Sequence, residues 1–340
     1  MRQIWITKAG PPEVLEMKEA PDPEVGAHAV RIAVESAGIN FADIMARVGM
    51  YPDAPKPPCV VGYEVAGTIE TVGGQVTAFQ PGDRVFTSTR FGGYSSKVVA
   101  EARQVLPVPE GWSVHEAAGL PVNYLTAYQL LVVMGSIREG SSILIHSAGG
   151  GVGTAATQIA RIFHAEIYGT ASAHKHDYLK QNGVHHPIDY RSEDFREAVM
   201  DLTGGKGVDL VIDPLGGASW KKSYQSLKPT GRLLMFGVSS MVPGKAKSLL
   251  QAVKMLVGVP FLQFNPFNLL NQNKGVLGVN VGHLWDEQEM LLSWLRQLLE
   301  WADAGSVRPH IDTVFAFEQA AEAHHYIQDR KNLGKVCLQP

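Results

Sequence analysis

The sequence predicts an α/β chain in two parts, with a doubly wound parallel-sheet domain inserted into a discontinuous β-rich domain. Residues 1–110 read as short strands between turns rich in Pro and Gly. In the middle of the chain, apolar strand patterns alternate with helical patterns, which is typical of a parallel sheet covered on both faces. Residues 334–338 return to the β pattern. We therefore expect one domain over 1–122 and 275–340, and the inserted domain over 123–274.

Individual elements follow from local patterns. The β-rich part contains strands such as Ala29–Val34 and Glu64–Val72, with one short helix near Phe41–Val48. The apolar run Ser142–His146 suits a buried parallel strand, and the helix Thr154–Phe163 follows it. The later predicted elements are the strand Glu166–Gly169, the helix His174–Asn182, the strand Val208–Asp213, the helix Ala218–Leu227, the strands Arg232–Phe236 and Gly275–Gly282, the helix Glu287–Ala304, the strand Thr313–Phe317, the helix Phe317–Arg330 and the strand Lys335–Leu338.

Composition restricts the function classes. Thirty Lys and Arg against 33 Asp and Glu give a net charge of −3, which lacks the basic footprint of a nucleic-acid-binding protein. The 45% hydrophobic and 19% charged content indicates a globular chain. Two cysteines, Cys59 and Cys337, are too few for a four-cysteine zinc site or a disulfide framework. With no secretory signal pattern at the N-terminus and no long apolar run, we expect a reduced, cytoplasmic protein.

A glycine cluster between a strand and a helix predicts a dinucleotide site. In the G-x-G-x-x-G pattern the three positions are Ala148, Gly150 and Gly153, so alanine replaces the first glycine. Gly150 would let the backbone approach a pyrophosphate, Gly153 would let helix and strand pack closely, and the helix start at Gly151 and Val152 would offer N–H groups to the phosphates. A purely structural glycine turn is the alternative.

The end of the next strand indicates which nicotinamide cofactor is bound. A carboxylate that binds the ribose should follow the glycine turn by about 20 residues. After the strand Glu166–Gly169 none occurs before Asp177, whereas Ser172 and Lys175 could bind a 2′-phosphate. The sequence therefore favours NADPH over NADH. An ordinary solvated lysine at a helix start is the alternative for Lys175.

Several other chemistries lack their motifs. There is no G-x-S-x-G nucleophile elbow and no P-loop. Adjacent histidines in the pairs His185–His186 and His324–His325 do not share a face of a helix or strand, so we expect no metal site.

Motifs over nearly the whole chain carry a family resemblance; they are Ala37–Arg47, Pro81–Val85, Val122–Tyr128, the glycine turn, Gly169–Ser172, Pro187–Tyr190, Asp213–Gly217 and Asn332–Val336. The chain resembles the zinc-free quinone oxidoreductase branch of the medium-chain dehydrogenase/reductase superfamily, and within it the vesicle amine transport (synaptic vesicle membrane protein) group. The resemblance implies a GroES-like catalytic domain, an inserted Rossmann domain, a homodimer, and NADPH-dependent, zinc-independent hydride transfer to a quinone or an α,β-unsaturated carbonyl.

The resemblance also implies residue roles. Asn40 would act beside the nicotinamide or on a substrate carbonyl, and Tyr51 would line the substrate cleft. The remaining implied cofactor contacts are Thr126, Lys175, Tyr190, Phe236, Gly237, Arg330 and Asn332. Zinc-containing relatives carry Cys where this chain has Asn40, His where it has Tyr63, and a third ligand near Val122. A second cleft tyrosine of the branch is replaced by Met45, which bears on quinone specificity.

Two further functions stay open at this stage. The vesicle-protein group is associated with membranes, and the apolar segment 248–264, with Lys245, Lys247 and Lys254 nearby, could lie on a membrane or bind a lipid tail. The simpler interpretation of that segment is a helix that covers the cleft or a contact between subunits of an oligomer. The chain could also bind NADPH as a sensor without turnover.

Overall fold

The computed structural model describes residues 1–241 and 264–340. The chain divides into two compact units, which we call unit 1 (Met1–Leu125 and Gly282–Pro340) and unit 2 (Thr126–Val281). The segment 248–264, considered above for membrane contact, lies outside the described residues except for Phe264. Among the described residues, no helix has both the length and the apolar composition needed to cross a membrane.

Unit 1 is built mainly from antiparallel strands. Its elements in chain order are β1 (Arg2–Ile6), β2 (Leu15–Glu19), β3 (Ala29–Ile39), α1 (Phe41–Arg47), β4 (Glu64–Val72), β5 (Arg84–Ser88), β6 (Lys97–Glu101), β7 (Val105–Pro107), α2 (Val114–Gly119) and the start of α3 (Pro121–Tyr128). Alternating residues such as Val30, Ile32 and Val34 face its core, because side chains of a strand point to opposite faces in turn.

Unit 2 follows, with a π-helix over Gln129–Met134 and then β8 (Ser142–Ile145), α4 (Gly151–Ile162), β9 (Glu166–Ala171), α5 (His176–Asn182), β10 (His186–Asp189), α6 (Phe195–Leu202), β11 (Val208–Asp213), α7 (Ala218–Gln225), β12 (Leu227–Met235), α8 (Pro266–Gln272) and β13 (Gly275–Gly278). Its six strands are parallel in the order β10-β9-β8-β11-β12-β13. This is the 3-2-1-4-5-6 order of a Rossmann domain. Ile143, Leu144 and Ile145 are all fully buried, as expected for a strand covered on both faces.

The chain then returns to unit 1 with α9 (Gln288–Asp303), β14 (Ile311–Ala316), α10 (Ala320–Gln328) and β15 (Lys335–Gln339). The seven-stranded sheet has the order β14-β15-β3-β4-β5-β7, and β6 also pairs with β3. Val336 on β15 lies opposite Ile39 on β3. The two distant pieces of unit 1 thus meet at the end of β3, immediately before Asn40.

The structure confirms the fold class, a GroES-like β-rich part with a Rossmann-like parallel sheet, and differs from the sequence-based division in details. The strand β13, assigned above to the β-rich domain, pairs with β12 in the parallel sheet, so the unit boundary falls after Val281 rather than before residue 275. The strand β10 and the helix α6 were not predicted. The strand β10 is only four residues long and contains Pro187, which weakens its strand signal.

Candidate functional site

The predicted glycine turn joins β8 to α4 in unit 2. Ser147 adopts a left-handed φ of 54°, and Ala148 N–H donates to Thr170 O at 3.1 Å, which ties the turn to β9. A Cβ on Gly153 would lie 2.7 Å from the Ala148 Cα and closer still to the Ser147 carbonyl oxygen. Helix α4 can therefore approach β8 only because residue 153 has no side chain.

Gly150 has a different environment. It stands at the N-cap of α4 with extended backbone, and no side chain caps this helix start. A Cβ there would meet a single atom within 4 Å, the Ser147 carbonyl oxygen at 3.3 Å, so packing restricts residue 150 much less than residue 153. The first N–H groups of a helix have no partner within it, so the half-buried backbone at Gly151 and Val152 offers donors to an anion.

The residues predicted for the cofactor's 2′-phosphate lie after β9 and β10. Ser172 Oγ is 3.3 Å from Tyr190 Oη, so the ends of these two strands bring the two side chains together. Lys175 follows in a short 3₁₀ helix, Ala173–Lys175, and is only 7% exposed, so it is not the solvated surface lysine of the alternative reading. Tyr190 is exposed.

A buried polar network supports the same ends of the strands, and sequence reasoning missed it. His146 follows β8; its Nδ1 accepts from Thr170 Oγ1 at 3.1 Å, and its Nε2 donates to Ser223 Oγ at 3.0 Å. Ser223 and Ser219 each donate to Asp213 Oδ2 at 2.7 Å. Burial lowers the pKa of His146, which keeps the ring neutral. The network holds together the carboxyl ends of β8, β9 and β11, the edge at which ligands bind in such sheets.

The remaining predicted residues of unit 2 are half-buried. Phe236 and Gly237 follow β12, where Phe236 N–H donates to Asp213 O at 3.2 Å. Thr126 is the first residue of unit 2 and lies within α3.

In unit 1, Asn40 lies in a buried polar cluster. Its Nδ2 donates to Glu64 Oε1 at 2.9 Å, and its Oδ1 accepts from Lys335 Nζ at 2.8 Å. Lys335 Nζ also donates to Glu64 Oε1, while Glu64 Oε2 accepts from Val122 N–H at 2.7 Å. Lys335 and Glu64 form an ion pair whose side chains are 3% and 0% exposed. Neither partner was predicted as a site residue, although Lys335 belongs to the Asn332–Val336 motif.

A second buried chain of hydrogen bonds reaches Asn40 from the other side. Asp43 accepts from Asn40 N–H at 2.7 Å and from Gly62 N–H at 3.0 Å, and the Tyr94 hydroxyl interacts with the same carboxyl group. Burial raises the pKa of Asp43 to about 7. Arg47 Nε donates to His324 Nδ1 at 3.2 Å; because arginine only donates, neutral His324 carries its proton on Nε2 and donates it to Tyr94 Oη.

Three aromatic rings cluster in the same unit. The Tyr51 and Tyr63 centroids are 6.3 Å apart with rings at 86°, and the Tyr63 and Phe91 centroids are 5.5 Å apart. The Tyr63 hydroxyl is buried and has no hydrogen-bond partner among residues 1–241 and 264–340. Tyr63 was noted from the sequence only because zinc-containing relatives have histidine at this position.

The last predicted residues precede β15. Arg330 is exposed with a left-handed φ of 56°, and Asn332 Nδ2 donates to Gly334 O at 2.9 Å. Unit 1 thus brings Asn40 together with Lys335.

The donor groups in unit 1 do not match those of a zinc site. Asn40 presents an amide, Tyr63 a phenol with an elevated pKa, and Glu64 is already neutralised by an ammonium group. Zinc prefers thiolates, imidazoles and free carboxylates. In the described part of the chain, no group of three or more His, Cys, Asp or Glu side chains is arranged to hold a metal ion.

Comparisons with known proteins agree with this fold. Residues 26–110 match the family "Alcohol dehydrogenase GroES-like domain", and residues 182–338 match "Zinc-binding dehydrogenase". The synaptic vesicle membrane protein VAT-1 homolog of Danio rerio is 40% identical over 312 residues, 91% of this chain. The chain spans only 63% of that relative's length.

Two quinone oxidoreductases match over nearly their full length. The human protein is 30% identical over 344 residues, covering 99% of this chain and 97% of the relative. The crystal structure of Escherichia coli quinone oxidoreductase complexed with NADPH covers 100% of both chains with a TM-score of 0.86 and 28% identity. The chain therefore belongs to the medium-chain dehydrogenase/reductase superfamily, with VAT-1 homologs and quinone oxidoreductases among its relatives.

Proposed function

We propose that this protein is an NADPH-dependent, zinc-independent oxidoreductase that transfers hydride to a quinone or an α,β-unsaturated carbonyl compound. The glycine turn carries the proposal. It combines an uncapped start of α4 with a glycine at 150 that packing restricts much less than Gly153. A backbone left open in this way suits close approach of a pyrophosphate.

The residues after β9 and β10 support NADPH over NADH. Ser172, Lys175 and Tyr190 would hold the 2′-phosphate, and residues 172–176 after β9 include no carboxylate that would repel it. The E. coli relative was solved with NADPH, which agrees with this assignment. When bound, NADPH supplies the hydride. We assign further cofactor contacts to Thr126, Phe236, Gly237, Arg330 and Asn332.

The polar and aromatic residues of unit 1 favour an easily reduced, flat acceptor. Asn40 retains one N–H of its carboxamide for an acceptor carbonyl, and Tyr51 stands in an aromatic cluster on which a conjugated ring can stack. Lys335 neutralises Glu64, and both oxygens of the Asp43 carboxyl group accept from backbone N–H groups, so neither carboxyl group is placed as a strong general acid. Quinones and enones need little protonation in advance, whereas simple ketones need a Lewis or Brønsted acid.

We also propose a reducing compartment such as the cytoplasm and a homodimer. Both cysteines are buried free thiols, which suits a reducing environment. Within the described residues, β13 ends the parallel sheet and pairs only with β12, so its other side could pair with a second copy.

The test is titration of the purified protein with NADPH and NADH by nicotinamide fluorescence, followed by addition of acceptors. We expect NADPH to bind at least tenfold more tightly, and its oxidation to follow addition of 1,4-naphthoquinone or 2-cyclohexenone but not the matched saturated ketone cyclohexanone. Tight NADPH binding without turnover of either conjugated acceptor would overturn the proposed reductase activity and favour an NADPH sensor. Failure to bind either nucleotide would overturn the cofactor assignment itself.

A further inference from the structure

The buried ion pair of Glu64 and Lys335 has a feature that simple charge neutralisation does not explain, because both partners also bond the Asn40 carboxamide. Lys335 Nζ faces Oδ1 at 2.8 Å, and Glu64 Oε1 faces Nδ2 at 2.9 Å. An ammonium only donates and a carboxylate only accepts, so the two contacts fix which end of the amide carries oxygen. A flipped amide would meet both partners with the wrong group, replacing two charged hydrogen bonds by two repulsive contacts.

The surrounding backbone is shaped to admit this arrangement. A Cβ on Gly38 would lie 2.5 Å from Glu64 Oε1 and 2.7 Å from Lys335 Cε, so a side chain there would displace the pair from its present position. Gly38 lies on β3, two residues before Asn40. It pairs with Cys337 on β15, which lies two residues after Lys335. Val122 N–H holds the second oxygen of Glu64 at 2.7 Å, which prevents the carboxylate from rotating.

The fixed amide keeps part of its hydrogen-bonding capacity. A carboxamide has two N–H donors and two acceptor lone pairs, and the described contacts use one of each. Asn40 is 7% exposed, so only a small part of this residue is open to a ligand. We propose that Glu64 and Lys335 are positioning residues, which hold the Asn40 carboxamide in the single orientation that donates its free N–H to the carbonyl group undergoing reduction.

This inference rests on the proposed function and is tested through a double-mutant cycle. Asn40→Ala removes the amide, Lys335→Met removes the ammonium group, and the double variant combines them. We expect each single variant to lower kcat with 1,4-naphthoquinone at least tenfold while the Kd for NADPH stays within twofold. If Lys335 acts through Asn40, the double variant should lose no more activity than Asn40→Ala alone. Multiplied losses in the double variant would overturn the proposal.

Two further variants separate positioning from folding. Lys335→Met leaves Glu64 as an unpaired buried charge, which endangers folding. The double variant Glu64→Gln with Lys335→Met carries no charge at either position and avoids this problem. It should lose as much kcat as Lys335→Met, and full activity in it would overturn the proposal. Lys335→Arg should restore part of kcat. Lys97→Met is the matched control, because Lys97 pairs with Asp22 and Glu70 on another part of unit 1.

A readout that needs no turnover distinguishes failure of this inference from failure of the proposed function. The carboxamide NH₂ signals of Asn40, identified by their absence in Asn40→Ala, should exchange slowly with solvent deuterium in the wild type because one N–H is bound to Glu64. In Lys335→Met the exchange should accelerate at least tenfold. Unchanged exchange would overturn the positioning role whether or not the wild type reduces quinones.

Discussion

Tyr94 and His324 are joined inside unit 1 by a 3.2 Å hydrogen bond between Oη and Nε2, and neither side chain is exposed. Tyr94→Phe would leave buried His324 short of a partner and remove a hydroxyl that interacts with Asp43, so we expect a loss of about 2 kcal/mol in the free energy of unfolding. Tyr63→Phe is the matched control, because it removes a buried hydroxyl that has no partner in the described residues. It should leave stability unchanged or raise it by about 1 kcal/mol. Urea unfolding of both variants checks this, and equal losses would contradict it.

Asp43 should give the protein a stability that falls as pH rises. Its pKa is raised from 3.8 to about 7 in the folded chain, so between these values the folded state holds a proton that the unfolded state has lost. The free energy of unfolding therefore decreases through this window and levels off above about pH 7. Denaturation between pH 4.5 and 8 should show a shallower decrease in Asp43→Asn than in the wild type.

Asp22 provides the control for that measurement. A hydrogen bond from Lys97 lowers the pKa of this exposed carboxyl group, so it is ionised in both folded and unfolded states above pH 4.5. Asp22→Asn should leave the slope unchanged over the same range. The same flattening in both variants would contradict the assignment to Asp43.

Two glycines of the turn, Gly150 and Gly153, should respond differently to alanine. Gly153→Ala places a Cβ 2.7 Å from backbone, so we expect overpacking to destabilise unit 2 by about 1–3 kcal/mol and to weaken NADPH binding. Gly150→Ala has only one neighbour, at 3.3 Å, and should leave the melting temperature nearly unchanged while weakening NADPH binding about tenfold. Calorimetry and fluorescence titration check both. A Gly150→Ala variant that binds normally would show that the pyrophosphate does not approach this residue.

Lys175 should determine cofactor preference. Lys175→Met should weaken NADPH binding about 10- to 100-fold, the range of a charge-assisted hydrogen bond, and change NADH binding by less than twofold. Lys180→Met is the matched control, since Lys180 lies on α5 and is exposed. Equal effects on both nucleotides in Lys175→Met would rule out a 2′-phosphate contact.

Local patterns predicted much of the fold and part of the candidate site. The glycine turn was recognisable because Gly153 and its neighbours are consecutive in sequence, and the Rossmann-like sheet because strands and helices alternate regularly. The Glu64–Lys335 pair could not be recognised from the sequence, because the two residues are 271 positions apart and only the pairing of β15 with β3 brings them together. His324 was examined from the sequence as a metal ligand and set aside; its contacts with Arg47 and Tyr94 likewise depend on long-range packing.

Because unit 1 consists of two distant pieces of the chain, the piece that is synthesised first must wait for the last strands before its sheet is complete. Asn40 and Lys335 are separated by 295 residues, which a ribosome adding about 5–20 residues per second makes in about 15–60 s. Throughout that interval Glu64 has no ammonium partner, and the β3 edge of the sheet awaits β15. Unit 2 is one continuous stretch and can complete its sheet while β14 and β15 are still being translated. The part of the protein that emerges first is thus the last to close, and a ribosome that stalls before Lys335 leaves a complete parallel sheet attached to an open β-sheet.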